Sequence, residues 1–424
     1  MKFGGRHFRG RGAGVVGGAL LACMVLACVL TLPWTLGSVR GPAGTLSPRI
    51  DVQYRTARHL PPSWWPVDLE EQSSDPTYKR IEATARVRAL QRIAEEKGTT
   101  IDRLEAEQVE PTPEQIRAAH PCYVLGTDLL GRDLMTRCLA GGGVSLVIGI
   151  AAAGLSVLLG TLYGSISGYV GGRIDAAMMR LVDVLYGLPY VLLVVLLAVA
   201  ADGVMGEYVS REKARTGWIR EQVAAPYRID VGVAPPREWV DAQLKNTPDL
   251  RGRLEKQALE RFPPRAVSDA GRAAFDLTTL LIAIGGVSWL TMARVVRGQV
   301  LSLKAQPFIE AARAMGARPA GIFVRHLLPN LVGPIVVYAT LTVPQAILQE
   351  SFLSFLGIGV RPPMPSWGNL AAEGLNEINP LNPERSHWWL LLFPCLLLGT
   401  TLIALNFVGE ALRERMDPKS RAGR

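Results

Sequence analysis

The sequence predicts an all-α polytopic membrane protein with six transmembrane helices, a cytoplasmic loop between the fourth and fifth, and two enlarged external inserts. Three observations carry this fold class. Six stretches of bilayer length, at 12–39, 143–172, 184–201, 273–293, 330–349 and 386–409, contain no Asp, Glu, Lys or Arg apart from Asp276. A hydrocarbon core of roughly 30 Å takes about 20 apolar residues of helix, and backbone groups inside it must pair within the segment, so each stretch reads as a helix. Both ends of the chain are basic: Lys2, Arg6, Arg9 and Arg11 precede the first stretch, and Arg413, Arg415, Lys419, Arg421 and Arg424 follow the last. Basic flanks are retained on the cytoplasmic side, so both termini are expected there, which requires an even number of spans.

Residues 1–13 are then a cytoplasmic N-terminus and 14–36 the first span. A cleaved signal peptide is the alternative for this block, with Ala22, Ala27 and Gly37 as small-residue cleavage positions, and it would leave five spans. Residues 37–125 form the first external insert; Pro61, Pro62, Trp64, Trp65 and Pro66 open it, and 77–107 carries helical spacing interrupted at Gly98 before Thr99 and Thr100. The main transmembrane domain, 126–418, has helices at about 143–166, 182–201, 275–296, 330–350 and 388–409. It is interrupted by the second external insert, 203–272, a mixed-charge surface broken by Pro235, Pro236, Pro263 and Pro264. Arg173, Arg180 and the basic segment 294–325 are expected inside, and 410–424 is a cytoplasmic tail. Cys122 and Cys138 near the outer face leave a disulfide open as a possibility; no cysteine spacing suits a metal.

The loop at 297–329 is the most informative segment. Pro307 suits a first helical turn, Phe308 to Met315 forms helix, Gly316 supplies the left-handed residue that ends it, and Pro319 opens a second run that stops before Pro329. A bent pair of short helices follows. Ala311, Ala312 and Gly316 leave the bend free of bulky side chains, so another protein can approach the backbone, with Glu310 at the rim. Taken by itself, the segment also reads as an interfacial amphipathic loop with Arg313, Arg318 and Arg325 toward lipid phosphates. A DNA-binding helix-turn-helix is excluded because spans begin within a few residues on either side, leaving no freedom to enter a groove; no nucleic-acid partner is expected.

Glu310-Ala311-Ala312, followed by Gly316, His326 and Leu328-Pro329, resembles the EAA loop of binding-cassette importer permeases. Gly126-Thr127-Asp128, with Gly131-Arg132-Asp133, resembles the GTDxxGRD signature of the C-type permeases of dipeptide, oligopeptide and nickel importers. Gly168 to Asp175, Arg294 to Val300 and Leu353 to Gly368 resemble further stretches of that family. The resemblance implies a permease subunit of an ATP-driven importer in a bacterial inner membrane, in which Glu310 to Pro329 couples to the ATPase. Its partners would be a second permease subunit, two ATPase subunits, an external solute-binding protein and the lipid bilayer. Peptides are the family's commonest cargo, with nickel or another small solute as the alternative. Read by itself, the Gly126 to Asp133 stretch is a polar turn capping the next helix, or a charge cluster of Asp128, Arg132 and Asp133 at the end of the second span.

No phosphate-binding loop is present, because none of the eight lysines follows a glycine. The chain is therefore expected to carry no cofactor and no catalysis of its own, with ATP and magnesium on the partner ATPases. A zinc-hydrolase helix and a nucleophile elbow are also missing, which counts against an intramembrane hydrolase. A proton-coupled secondary transporter would place ionisable residues deep in its spans and repeat its halves, and neither feature is found.

Overall fold

The computed structural model describes residues 10–42, 44–65, 76–231, 235–262, 269–378 and 386–416. The basic residues Lys2, Arg6, Arg9, Lys419, Arg421 and Arg424, and the prolines Pro66, Pro263 and Pro264, lie outside these.

The chain divides into two compact units, Met1–Tyr190 with Asp276–Arg424, and Val191–Phe275. The first unit begins with α1 (Gly10–Leu30) and α2 (Leu32–Thr35), followed by a small antiparallel hairpin of β1 (Ser38–Arg40) and β2 (Leu46–Pro48). Helices α3 (Pro76–Lys97), α4 (Ile101–Ala106) and α5 (Pro113–Ala118) complete the described part of the first insert. The break expected at Gly98 is there: its φ is +62° and Thr100 is the N-cap of α4.

α6 (Leu134–Val170) starts on Asp133, whose carboxylate accepts the Met135 and Thr136 amides, and ends at Gly171 with φ +71°. α7 (Gly172–Tyr186) stops before Gly187 and Pro189, because a proline disfavours helical geometry in the residue ahead of it. The remaining helices of this unit are the greater part of α11 (Asp269–Lys304), then α12 (Pro307–Ala314), α13 (Pro319–Ile322), α14 (Leu328–Phe355), α15 (Trp367–Asn376) and α16 (Trp389–Met416).

Among the described residues five helices are long and apolar enough to cross a membrane: Gly14–Thr35, Leu134–Val170, Ala274–Lys304, Pro319–Phe355 and Trp389–Met416. A sixth is reached if Gly172–Tyr186 and Val191–Leu197 count as one broken span. The span expected at 182–201 is thus interrupted at Gly187 to Pro189, and a scan for charge cannot register a break made of uncharged residues. Four of the other spans are longer than their charge-free cores, since polar residues continue each helix beyond the apolar stretch, whereas Gly14–Thr35 lies within the stretch 12–39.

Lipid tails are as apolar as leucine, so helices in a bilayer associate through close packing at small residues rather than by hydrophobic exclusion. Gly160, Gly164 and Gly168, one turn apart on α6, do this against α11. A Cβ on Gly164 would lie 2.3 Å from the Ala293 carbonyl oxygen, and one on Gly160 would lie 2.5 Å from Met292 Cβ. Gly149 meets Ile347 of α14 in the same way, and Gly14 and Gly17 of α1 meet Ala411 and Phe407 of α16. The opposite side of α6 presents Val147, Ile150, Leu158 and Leu162 outward. Asp175 joins three of these helices, binding Ser167 of α6 and receiving the Arg297 guanidinium of α11 at 2.6 Å.

The second unit is built from α8 (Tyr190–Val231), α9 (Arg237–Asn246) and α10 (Pro248–Arg261). Its core is Ile219, Val223, Ala224, Val240, Leu254 and Ala258, flanked by Trp218 and Trp239. The mixed-charge segment is therefore a small folded helical unit, with Pro235 and Pro236 leading into α9. α8 runs through position 203 without interruption.

Candidate functional site

The α12–α13 hairpin follows from local rules. Pro307 takes the first turn of α12, and the helix ends in paired turns in which Gly316 N–H donates to Arg313 O (2.9 Å) and Ala317 N–H to Ala312 O (3.1 Å). This closure needs a left-handed residue; Gly316 has φ +79°, and a Cβ placed there would meet nothing within 4 Å. Met315 beside it is 82% exposed. The underside is apolar: Ile309, Ala312, Ile322, Leu327 and Leu331 form one cluster with Met292, Val296 and Val300 of α11. Tyr169 at the end of α6 adds a tie, its hydroxyl donating to Pro319 O (2.9 Å) while its own carbonyl accepts Lys304 Nζ (2.6 Å). These contacts tie the hairpin to α6, α11 and α14.

The expected residues divide between two faces. Glu310, Ala311 and Gly316 are exposed, whereas Ala312 is 2% exposed and faces inward, so its small side chain serves packing within the chain and leaves no surface for a partner. His326 is half-buried, its ring centroid 6.5 Å from that of Phe308, and Leu328 and Pro329 are exposed. The expected stop before Pro329 is absent. A π-helical turn at Phe323–Leu327 lets Leu328 N–H reach Phe323 O, and Pro329, which has no N–H to lose, enters the first turn of α14 without breaking the chain's helical path.

The Gly126 to Asp133 stretch is a latch. Gly126 (φ +83°) lies against Leu60 O and Trp389, and Gly131 (φ +74°) against Tyr54 O, so both turns close onto backbone that admits no Cβ. Thr127 is fully buried, donating to Ala57 O and accepting Leu60 N–H (2.7 Å). Asp128 accepts the amides of Leu130 and Arg132 (2.9 Å each), Arg132 Nε (2.7 Å) and Arg137 Nη1 (2.8 Å). Arg137 also donates to Glu373 of α15 (2.6 Å), and Arg132 lies 3.8 Å from Asp51. Asp133 stands apart from this cluster as the α6 cap; burial raises its carboxyl above the usual range, against the Thr136 and Met135 bonds that lower it. Cys122 and Cys138 are both free thiols.

Charge-free scanning missed Arg137, Glu373 and Glu350. Arg137 lies just ahead of the second charge-free block, and Glu350 is the first residue beyond the block ending at 349. Glu350 is fully buried, accepting Ser354 Oγ (2.8 Å) and Ser351 Oγ (3.2 Å), and Ser354 Oγ in turn accepts Val360 N–H (2.9 Å). An ionisable residue at the edge of an apolar run is the signal that would have marked both.

A multi-span helical chain with a glycine-terminated hairpin rooted in three of its helices has the layout of a transport permease. The family model for the inner membrane component of binding-protein-dependent transport systems matches residues 160–422, and the chain belongs to that family. It is 36% identical to the dipeptide transport system permease protein of Bacillus subtilis over 70% of this chain and 68% of that protein. It is 36% identical to the oligopeptide transport system permease protein of Haemophilus influenzae, over 70% of this chain and 71% of that one. The Escherichia coli K12 oligopeptide permease is 38% identical, over 70% of this chain and 73% of its own length.

Proposed function

We propose that this chain is one permease half of an ATP-driven importer of peptides, paired with a second permease subunit and driven by two separate ATPase subunits. The observation that carries the reading is the α12–α13 hairpin, an exposed, glycine-ended helix whose apolar underside is seated on α11 and α14. The relatives' names, which specify dipeptides and oligopeptides, support the cargo. In this reading Glu310, Ala311 and Gly316 meet the ATPase, while Ala312, with Ile309 and Ile322, seats the hairpin on Met292, Val296 and Val300 of α11. His326, Leu328 and Pro329 carry the motion into α14. ATP and magnesium sit on the partner ATPases, substrate arrives on an external solute-binding protein, and the chain itself catalyses no reaction. Both termini and the hairpin lie in the cytoplasm of a bacterial inner membrane, with 37–125 and 203–272 outside.

Closure of the ATPases would push the hairpin, and its ties to α6, α11 and α14 would turn that push into reorientation of the pathway. The test is co-purification of the full chain with its ATPase. Gly316→Trp is expected to abolish ATPase capture and peptide uptake while membrane insertion persists. Unchanged capture and uptake in that variant would refute the coupling role.

A further inference from the structure

We propose that His59, Glu377 and His387 together bind a divalent transition-metal ion of zinc's class, with one coordination position left open. The three residues come from separate stretches: His59 from the first insert, Glu377 from the C-cap of α15 and His387 from the approach to α16. His59 Nε2 lies 3.1 Å and His387 Nδ1 3.5 Å from the same oxygen, Oε2 of Glu377, and the three ligand atoms all fall within 4.8 Å of one another. A tetrahedral ion with nitrogen and oxygen ligands at about 2.0–2.2 Å separates those ligands by about 3.3 Å, so both measured edges already match. Two imidazoles and a carboxylate form a borderline donor set. That set favours zinc-like ions over calcium or magnesium, which take oxygen ligands, and over copper(I), which takes sulfur.

His59 Nε2 and His387 Nδ1 are buried and make no well-aligned hydrogen bond, although both stand within ion-pair distance of the Glu377 carboxylate. The rings stack with centroids 3.8 Å apart and planes 14° apart, which brings their nitrogen-bearing edges to the same side of the Glu377 carboxylate. An ion would turn the rings out of parallel so that their lone pairs meet on it. The supporting shell is fixed too: His387 N–H donates to Glu377 O (3.2 Å) and His59 N–H to Asp128 O (3.1 Å). His59 has φ +53°, a conformation disfavoured for a side-chain-bearing residue and found where surrounding structure imposes it. Trp389 stands edge-on to His387 at 5.3 Å and donates to Thr127 O, so the site adjoins the latch.

Metal binding here is independent of the transport reading. The full chain, purified in detergent with a tag lacking histidine and stripped with chelator, is titrated with zinc alone. The expected result is one equivalent per chain, with His59→Ala, Glu377→Gln and His387→Ala each weakening binding at least about 100-fold, since loss of mere supporting residues costs 10–100-fold. His120→Ala should bind as the parent does. Cobalt in the unaltered chain should show tetrahedral visible bands without a thiolate band, a readout that needs no variant to fold. Binding well below one equivalent, parental affinity in His387→Ala, or a cobalt–thiolate band would each overturn the proposal.

Discussion

Gly131→Ala would put a Cβ 1.9 Å from the Tyr54 carbonyl oxygen and 2.9 Å from its carbon, contacts that backbone cannot yield without moving. The same substitution at Gly98 meets nothing within 4 Å, although Gly98 has φ +62° and Gly131 φ +74°. Both replacements force alanine into the left-handed region at about 1–2 kcal/mol, partly offset by the stiffer unfolded chain, for a net of about 1 kcal/mol. Only Gly131 adds overpacking of about 1–3 kcal/mol and loss of the turn bond from Ala57 N–H to Tyr54 O (2.8 Å), worth about 1 kcal/mol. The expected totals are about 1 kcal/mol for Gly98→Ala and about 3–5 kcal/mol for Gly131→Ala. A gap of about 2–4 kcal/mol corresponds to a roughly 30- to 1000-fold difference in local opening. Hydrogen exchange of peptides covering 54–60 and 126–134, in the full chain in lipid nanodiscs, reads it directly. Equal loss of protection in the two variants, or protection unchanged by Gly131→Ala, would show that the latch does not pin the insert.

Asp128→Asn removes the charge that Arg132 and Arg137 share, while Arg137 keeps Glu373 and Arg132 keeps Asp51, so thermal or denaturant unfolding should show about 1.5–3 kcal/mol of destabilisation. Arg86→Ala breaks the open pair with Glu110 and should cost less than about 1 kcal/mol in the same assay. Gly164→Val drives a side chain into the Ala293 carbonyl and should reduce the yield of folded, inserted chain severalfold, by fluorescence-detected size exclusion. Gly154→Val, which meets nothing within 4 Å, should match the parent; equal losses would refute the α6–α11 contact.

Much of the hairpin was readable from local chemistry. Pro307, Gly316 and Pro319 act through their own backbone preferences, so helix, turn and helix follow wherever the segment sits. The stop before Pro329 did not follow, because a π turn with Leu328 N–H on Phe323 O carries the helical path into α14, where Pro329 occupies the first turn. The interrupted span at Gly187 to Pro189 escaped for a related reason: hydropathy registers burial in lipid and is blind to a change of helix direction among uncharged residues. The sequence reads Ala312 as small so that a partner can approach, but Ala312 is buried in the cluster with Ile309 and Ile322, a placement that depends on where those two residues arrive.

By itself the sequence determined that this is a helical membrane protein, where its apolar stretches lie and where a helix, a glycine turn and a second helix follow one another at 307–322, since these rest on properties summed over neighbouring residues. Only the tertiary structure decided which groups Arg137, Glu373 and Glu350 meet and that His59, Glu377 and His387 come together. Glu373 meets Arg137 across 236 positions of sequence, and no local preference encodes a charge partner, or a gathering of two histidines and a carboxylate, that exists only once distant helices have packed.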